Sequence, residues 1–130
     1  MLEQLTPSRV FYYFEQLCAI PHGSGNTKAI SDYCMTVAAQ LGLDAEQDDY
    51  NNVIIRKPAA RGYEDHPPVI IQGHLDMVCE KDADCCLDFT TDGLRLAIDG
   101  DWIFAKQTTL GGDDGIAVAM ALAILEDTAL

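Results

Sequence analysis

The chain has 130 residues, 48% of them apolar, with 21 acids against 8 bases and a net charge of −13. That is one domain with material for a core, and its acid surplus excludes nucleic acid and anionic membrane as general electrostatic partners. Five cysteines in no Cys-x-x-Cys spacing, and a start without a basic stretch ahead of a long apolar run, read as reduced thiols in a cytoplasmic protein.

Thr6-Pro7 predicts the start of a first helix, with a hydroxyl N-cap and proline at the first helical position. Val10, Phe11, Phe14, Leu17 and Cys18 follow at helical spacing. Pro21-His22-Gly23-Ser24-Gly25 ends that helix. The loop is glycine-rich but lacks the preceding strand of a phosphate-binding fingerprint, so His22 is expected to make a local hydrogen bond. Asn26 or Thr27 caps a second helix, whose apolar face runs through Ile30, Tyr33, Cys34, Val37, Ala38 and Leu41 to a terminal Gly42. Leu43 to Gln47 reads as a short strand, residues 48–52 as a turn, and Val53 to Arg56 as a second strand. Pro58 to Pro68 is a polar loop.

Val69-Ile70-Ile71 is a continuous β-branched run, the pattern of a strand buried on both faces. It predicts the centre of a mixed sheet flanked by helices, an α/β fold. Gln72-Gly73-His74-Leu75-Asp76 follows at once. Chemistry in open α/β sheets collects at the carboxyl ends of strands. Two residues apart on extended backbone, His74 and Asp76 point the same way, and a metal-binding imidazole commonly donates its other N–H to a carboxylate. The acidic stretch Glu80 to Asp92 lacks the oxygen ligand and glycine of a calcium loop. Leu94 to Ile98 and Trp102 to Ala105, joined through Asp99-Gly100, read as a hairpin.

Gly111-Gly112-Asp113-Asp114-Gly115 then precedes Ile116 to Leu125, a run too short to cross a membrane. It is apolar around its whole circumference, which predicts a helix buried on all sides. One imidazole and one carboxylate, His74 and Asp113, suit zinc or a similar divalent ion. A carboxylate has two oxygens and can bridge two ions about 3.5–4 Å apart. Asp114 reads as a helix N-cap in favourable contact with the helix dipole.

The segment from Gln72 to Lys81, with Thr109 to Ala117, resembles the M20 family of di-zinc peptidases. It is most similar to the aminoacyl-histidine dipeptidase branch, also called cytosolic non-specific dipeptidase. Ala19 to His22 and Asn52 to Pro58 resemble the same branch. The resemblance implies that His74 binds one zinc, that Asp76 orients and polarises His74, and that Asp113 bridges two zincs and joins Asp114 through a cis peptide. Manganese or cobalt could replace zinc. Family members often carry Asn, or Asp then Lys, where this chain has Asp114-Gly115. The implied substrate is a small peptide, Xaa-His or broader. The Glu base for the attacking water, the remaining metal ligands and the lid domain lie beyond Leu130 in the family. Residues 1–130 are therefore expected to be the N-terminal portion of a zinc-peptidase catalytic domain, inactive alone and self-associating. The competing readings are a non-catalytic metal- or partner-binding module and a related di-zinc aminopeptidase.

Overall fold

A computed structural model describes residues 1–129. Its first helix, α1 (Ser8–Cys18), begins one residue later than Thr6-Pro7 predicts. Pro7 itself is the N-cap, with extended φ/ψ and no side-chain capping bond, and the Thr6-Pro7 peptide is cis. Glu15 instead turns back to the amino terminus. It accepts from the Met1 amine and, at 2.8 Å, from the Leu2 N–H, which seats Leu2 in the core with no exposed surface. Helix α2 (Lys28–Gln40) starts after Thr27, as expected. It ends in a paired carbonyl cap: the Gly42 N–H donates to Ala39 and the Leu43 N–H to Ala38. Gly42 takes φ 68° to make that turn, a conformation in which a Cβ would be strained.

Strands β1 (Asp44–Gln47) and β2 (Val53–Arg56) pair antiparallel, Asp44 opposite Arg56 and Gln47 opposite Val53. The turn between them is closed by Asp48, whose carboxylate accepts the N–H groups of Tyr50 and Asn52 at 2.9 and 2.8 Å. Strands β3 (Leu96–Asp99) and β4 (Trp102–Ala105) form the expected hairpin across Gly100-Asp101. Helix α3 (Gly112–Glu126) closes the described chain.

The core lies where α1 meets α3. Tyr13, Phe14, Leu17 and Cys18 pack with Val118, Ala119 and Leu122, and Ile30 and Val37 of α2 complete the cluster. The approach is close because α3 presents small residues there. A Cβ on Gly115 would sit 3.3 Å from the Phe14 ring, and Ala119, one turn on, is fully buried. Arg9 ties the far ends together, donating to both Glu126 oxygens while its guanidinium lies 4.2 Å from the Tyr12 ring centroid. Lys57, just after β2, donates to the carbonyls of Ile124 and Asp127. These are groups that a helix end leaves without partners.

The α/β composition is as predicted, but the sheet is not. Two separate two-stranded antiparallel sheets replace a single mixed one, and residues 69–72 belong to neither. Val69 is 85% and Ile70 88% exposed, and residues 69–73 make no backbone–backbone hydrogen bond. Among the described residues no strand runs beside them, so their ladder groups have only solvent to bond. A groove of about 1380 Å³ separates this run from β2 and α3, lined by Ile55, Ile71, Leu75, Val118 and Leu122 among others. Helix α3 is likewise buried on one side rather than all round. Val118, Ala119 and Leu122 are covered, whereas Met120 and Ile124 face outward, because α1 covers one face only.

Leu17, 1% exposed at the centre of the helix interface, offers a direct test of that core. Leu17→Ala should lower unfolding free energy by about 2–5 kcal/mol, the usual cost of a buried leucine truncation. Urea denaturation followed by far-UV circular dichroism measures it, and a loss well under 1 kcal/mol would mean that α1 and α3 do not pack as described.

Candidate metal centre

Two segments 40 residues apart are pressed together by glycine. A Cβ on Gly73 would meet an Asp114 carboxylate oxygen at 2.9 Å and Val118 at 3.3 Å. A Cβ on Gly111 would meet the Met77 sulfur at 2.9 Å, and Gly111 has φ 67°, the left-handed region. Only residues without Cβ allow this approach. It brings the residues after the β-branched run against the start of α3.

His74, Asp113 and Asp114 converge there, each offering a ligand atom within 4.8 Å of the others. His74 Nε2 lies 3.2 Å from Asp113 Oδ1. On the other side of the ring, Nδ1 lies 2.8 Å from the Asp76 carbonyl oxygen and 3.2 Å from its carboxylate. Both Asp76 atoms are acceptors, so Nδ1 carries the proton and donates. In the neutral ring Nε2 then presents a lone pair to a carboxylate oxygen, and in the protonated ring it donates to it. Two acceptors at that distance call for a cation or a proton between them, so this donor set fits a divalent ion. Asp113 is almost fully exposed, at 96% of its side chain, and His74 is half exposed.

The electrostatics follow the same lines. Desolvation is the largest single influence and acts to lower the His74 pKa, but the hydrogen bonds to Asp113 and the Asp76 carbonyl and the two carboxylate charges together outweigh it and hold it above 6.5. The Ser24 hydroxyl, donating to Asp76, is the main reason that this carboxyl lies below its ordinary range. Asp114 is not the N-cap that its position suggests. Gly111 occupies that position and no side chain caps it. The Asp114 carboxylate instead accepts the backbone N–H of His74 at 3.2 Å; Asp113 and Asp114 both leave helical φ/ψ, and the peptide between them is cis.

The structure thus brings the predicted His74, Asp76 and Asp113 together. Sequence reading missed Ser24, whose hydroxyl reaches Asp76 across 52 residues; nothing in Gly23-Ser24-Gly25 signals that contact. His22 does make a local bond, with Nδ1 2.5 Å from the Ile20 carbonyl, and it is buried within its loop. Two of the thiols, Cys18 and Cys34, are buried in the core. All five are free, and burial pushes Cys18 up to about 12 and Cys34 to about 11, too high for a useful thiolate.

An imidazole held by one aspartate and facing a second, on an α/β scaffold, is a donor set that could hold a divalent ion. No protein-family model matches the chain. It is 44% identical over 126 residues, 97% of its length, to the cytosol non-specific dipeptidase of Escherichia coli (strain K12). Its fold matches the crystal structure of aminoacylhistidine dipeptidase from Vibrio alginolyticus with a TM-score of 0.95 and 41% identity over 98% of the chain. The resemblance carried by the two motifs is therefore borne out along nearly the whole sequence. The chain spans 26% of the length of each of these two relatives.

His22 makes this region pH-sensitive. Burial pushes its pKa below the ordinary 6.5, more than the Ile20 carbonyl and the Asp76 charge raise it. Below 6.5 the unfolded chain takes up the proton first, so the contribution to stability is complete above 6.5 and is lost as pH falls through the folded-state value. The carboxylates with lowered values, Glu15, Asp32, Asp48, Asp76 and Asp88, act in a more acidic range. His74, held above 6.5, acts in the opposite sense over the same range, so the role of His22 is read from the difference: on acidification from about pH 7.5 to about pH 5.5 the urea midpoint should fall more, or rise less, in wild type than in His22→Gln. Equal slopes in the two proteins would mean that His22 is not buried in its neutral form.

Proposed function

We propose that this chain contributes the His74–Asp113 arm of a zinc site in a cytoplasmic dipeptidase, and that the longer protein hydrolyses small peptides, Xaa-His or a broader set. Manganese or cobalt could serve in place of zinc. The observation that carries the reading is the pair of facing acceptors, His74 Nε2 and Asp113 Oδ1, in a chain 44% identical to a dipeptidase. When bound, such ions supply Lewis-acid polarisation of the scissile carbonyl and acidify water.

The residues divide the remaining work. His74 presents its Nε2 lone pair because Asp76 accepts the hydrogen bond of the Nδ1–H. Asp113 keeps both carboxylate oxygens toward solvent, as a bridging ligand requires. Asp114 fixes the His74 backbone. Asp76 faces the back of the imidazole and Ser24, so it is badly placed to take a proton from an attacking water. A general base must lie within hydrogen-bond reach of that water. Among the described residues the cluster holds only His74, Asp113 and Asp114, so the base and a second set of ligands must come from elsewhere in the longer protein.

The 130-residue chain is accordingly expected to bind zinc but to show no turnover on a dipeptide panel that includes Xaa-His. In isothermal titration, His74→Ala and Asp113→Ala should abolish zinc binding, and Asp76→Ala should weaken it by about 10–100-fold. Metal-dependent turnover by this chain alone would overturn the assignment of the base. Zinc binding unchanged in both ligand variants would overturn the site. The longer protein cleaving only longer peptides, and no dipeptide, would favour an aminopeptidase.

We infer further that copies of this chain associate. Val69, Ile70, Met120 and Ile124 are all exposed, and apolar area left in water forgoes about 25 cal/mol per Å². Sedimentation equilibrium should show a concentration-dependent rise in mass. A monodisperse monomer across the whole concentration range would refute it.

A further inference from the structure

Ser24 is tied to this site through a chain of hydrogen bonds that begins outside it. The loop after α1 is anchored at three points. His22 Nδ1 donates to the Ile20 carbonyl, the Met77 N–H donates to the His22 carbonyl at 3.0 Å, and the Asn26 N–H donates to the Gly23 carbonyl at 2.8 Å. Gly23 bridges to Met77 in parallel fashion, and it lies so close that a Cβ there would be 2.7 Å from the Cys79 sulfur. Ser24 is thus delivered beside Asp76 by backbone contacts on both sides, and its hydroxyl donates to Asp76 Oδ2. The other oxygen, Oδ1, faces His74 Nδ1 at 3.2 Å.

Resting on the metal-site reading above, we propose that Ser24 is a positioning residue for His74, acting through Asp76. A carboxylate rotates readily about its last torsion. With Oδ2 held by the Ser24 hydroxyl, Oδ1 stays in front of Nδ1. That favours the Nδ1–H tautomer and leaves the Nε2 lone pair facing Asp113. Without the hydroxyl, Asp76 turns toward solvent, only its backbone carbonyl is left to select the tautomer, and the ligand nitrogen is protonated in part of the population. The hydroxyl is what matters, so threonine should serve and valine, of nearly the same shape, should not.

The test uses the 130-residue chain, first without metal at about pH 8.5, where the ring is neutral and tautomers are distinguishable by long-range ¹H–¹⁵N correlation. Wild type and Ser24→Thr should show His74 mainly as Nδ1–H. Ser24→Ala and Ser24→Val should show a mixture of both tautomers, with urea midpoints close to wild type. Zinc titration of the same proteins should show about tenfold weaker binding in the Ala and Val variants and recovery in the Thr variant. The Thr–Val comparison decides the matter even where Ala perturbs the loop, because those two differ in the hydroxyl alone. Identical His74 tautomer populations in Thr and Val would overturn the role of Ser24. A wild-type chain that takes up no zinc overturns the metal reading instead, and the tautomer comparison still decides the positioning role.

Discussion

The site depends on how closely the backbone at Gly73-His74 approaches the turn at Gly111 to Asp114. The first segment has no regular structure there, the second is the irregular start of α3, and each is held by what the other supplies. Asp114 takes the His74 N–H, while Gly111 packs on Met77. The helix pair below makes the approach possible. Because Gly115 and Ala119 let α3 lie tightly on Phe14 and its neighbours, the start of α3 is set by core packing rather than by the loop. Polar geometry at the surface thus inherits its precision from apolar contacts in the core.

The charge pattern at the site is asymmetric in a useful way. Asp76 and Ser24 stand behind the imidazole, Asp113 stands in front, and the front is open to solvent. Behind the ring, proton donors and acceptors are matched. In front, Nε2 lies 3.2 Å from a carboxylate oxygen of Asp113. Protons and divalent ions compete for that position, since a metal needs the neutral ring. Asp113, in front of the ring, is among the groups that raise the His74 pKa.

Much of this was legible in the sequence, for local reasons. Helices α1 and α2, the β1–β2 pair and the Gly100 hairpin follow from periodicity and turn chemistry, which act over a few residues. His74, Asp76 and Asp113 stood out because their spacing and glycine neighbours are local as well. What was not legible needed information from far along the chain. The run 69–72 has the composition of a buried strand, but a strand forms only beside another strand, and composition cannot say whether one is present. The all-round apolar pattern of α3 likewise records what the helix can be buried in, not how much of it α1 reaches. Asp114 looked like a cap because acids at helix starts usually are; its partner is a backbone N–H 40 residues earlier. Ser24 carried no signal, because its only distinction is a neighbour 52 residues away.

The exposed segment from Pro67 to Gly73 carries no charge, in a chain whose net charge is −13. Its unpaired backbone groups and β-branched side chains are a template for strand addition, yet two copies approaching there must bring their whole negative charge together. That repulsion reaches across about 30 Å at 0.01 M salt and only about 8 Å at physiological ionic strength. Were copies to meet through this segment, as proposed above, ionic strength would govern the contact in the opposite sense to an ion-paired interface. Dilute buffer would keep the copies apart, and added salt, by screening the acids, would let the neutral run meet its like.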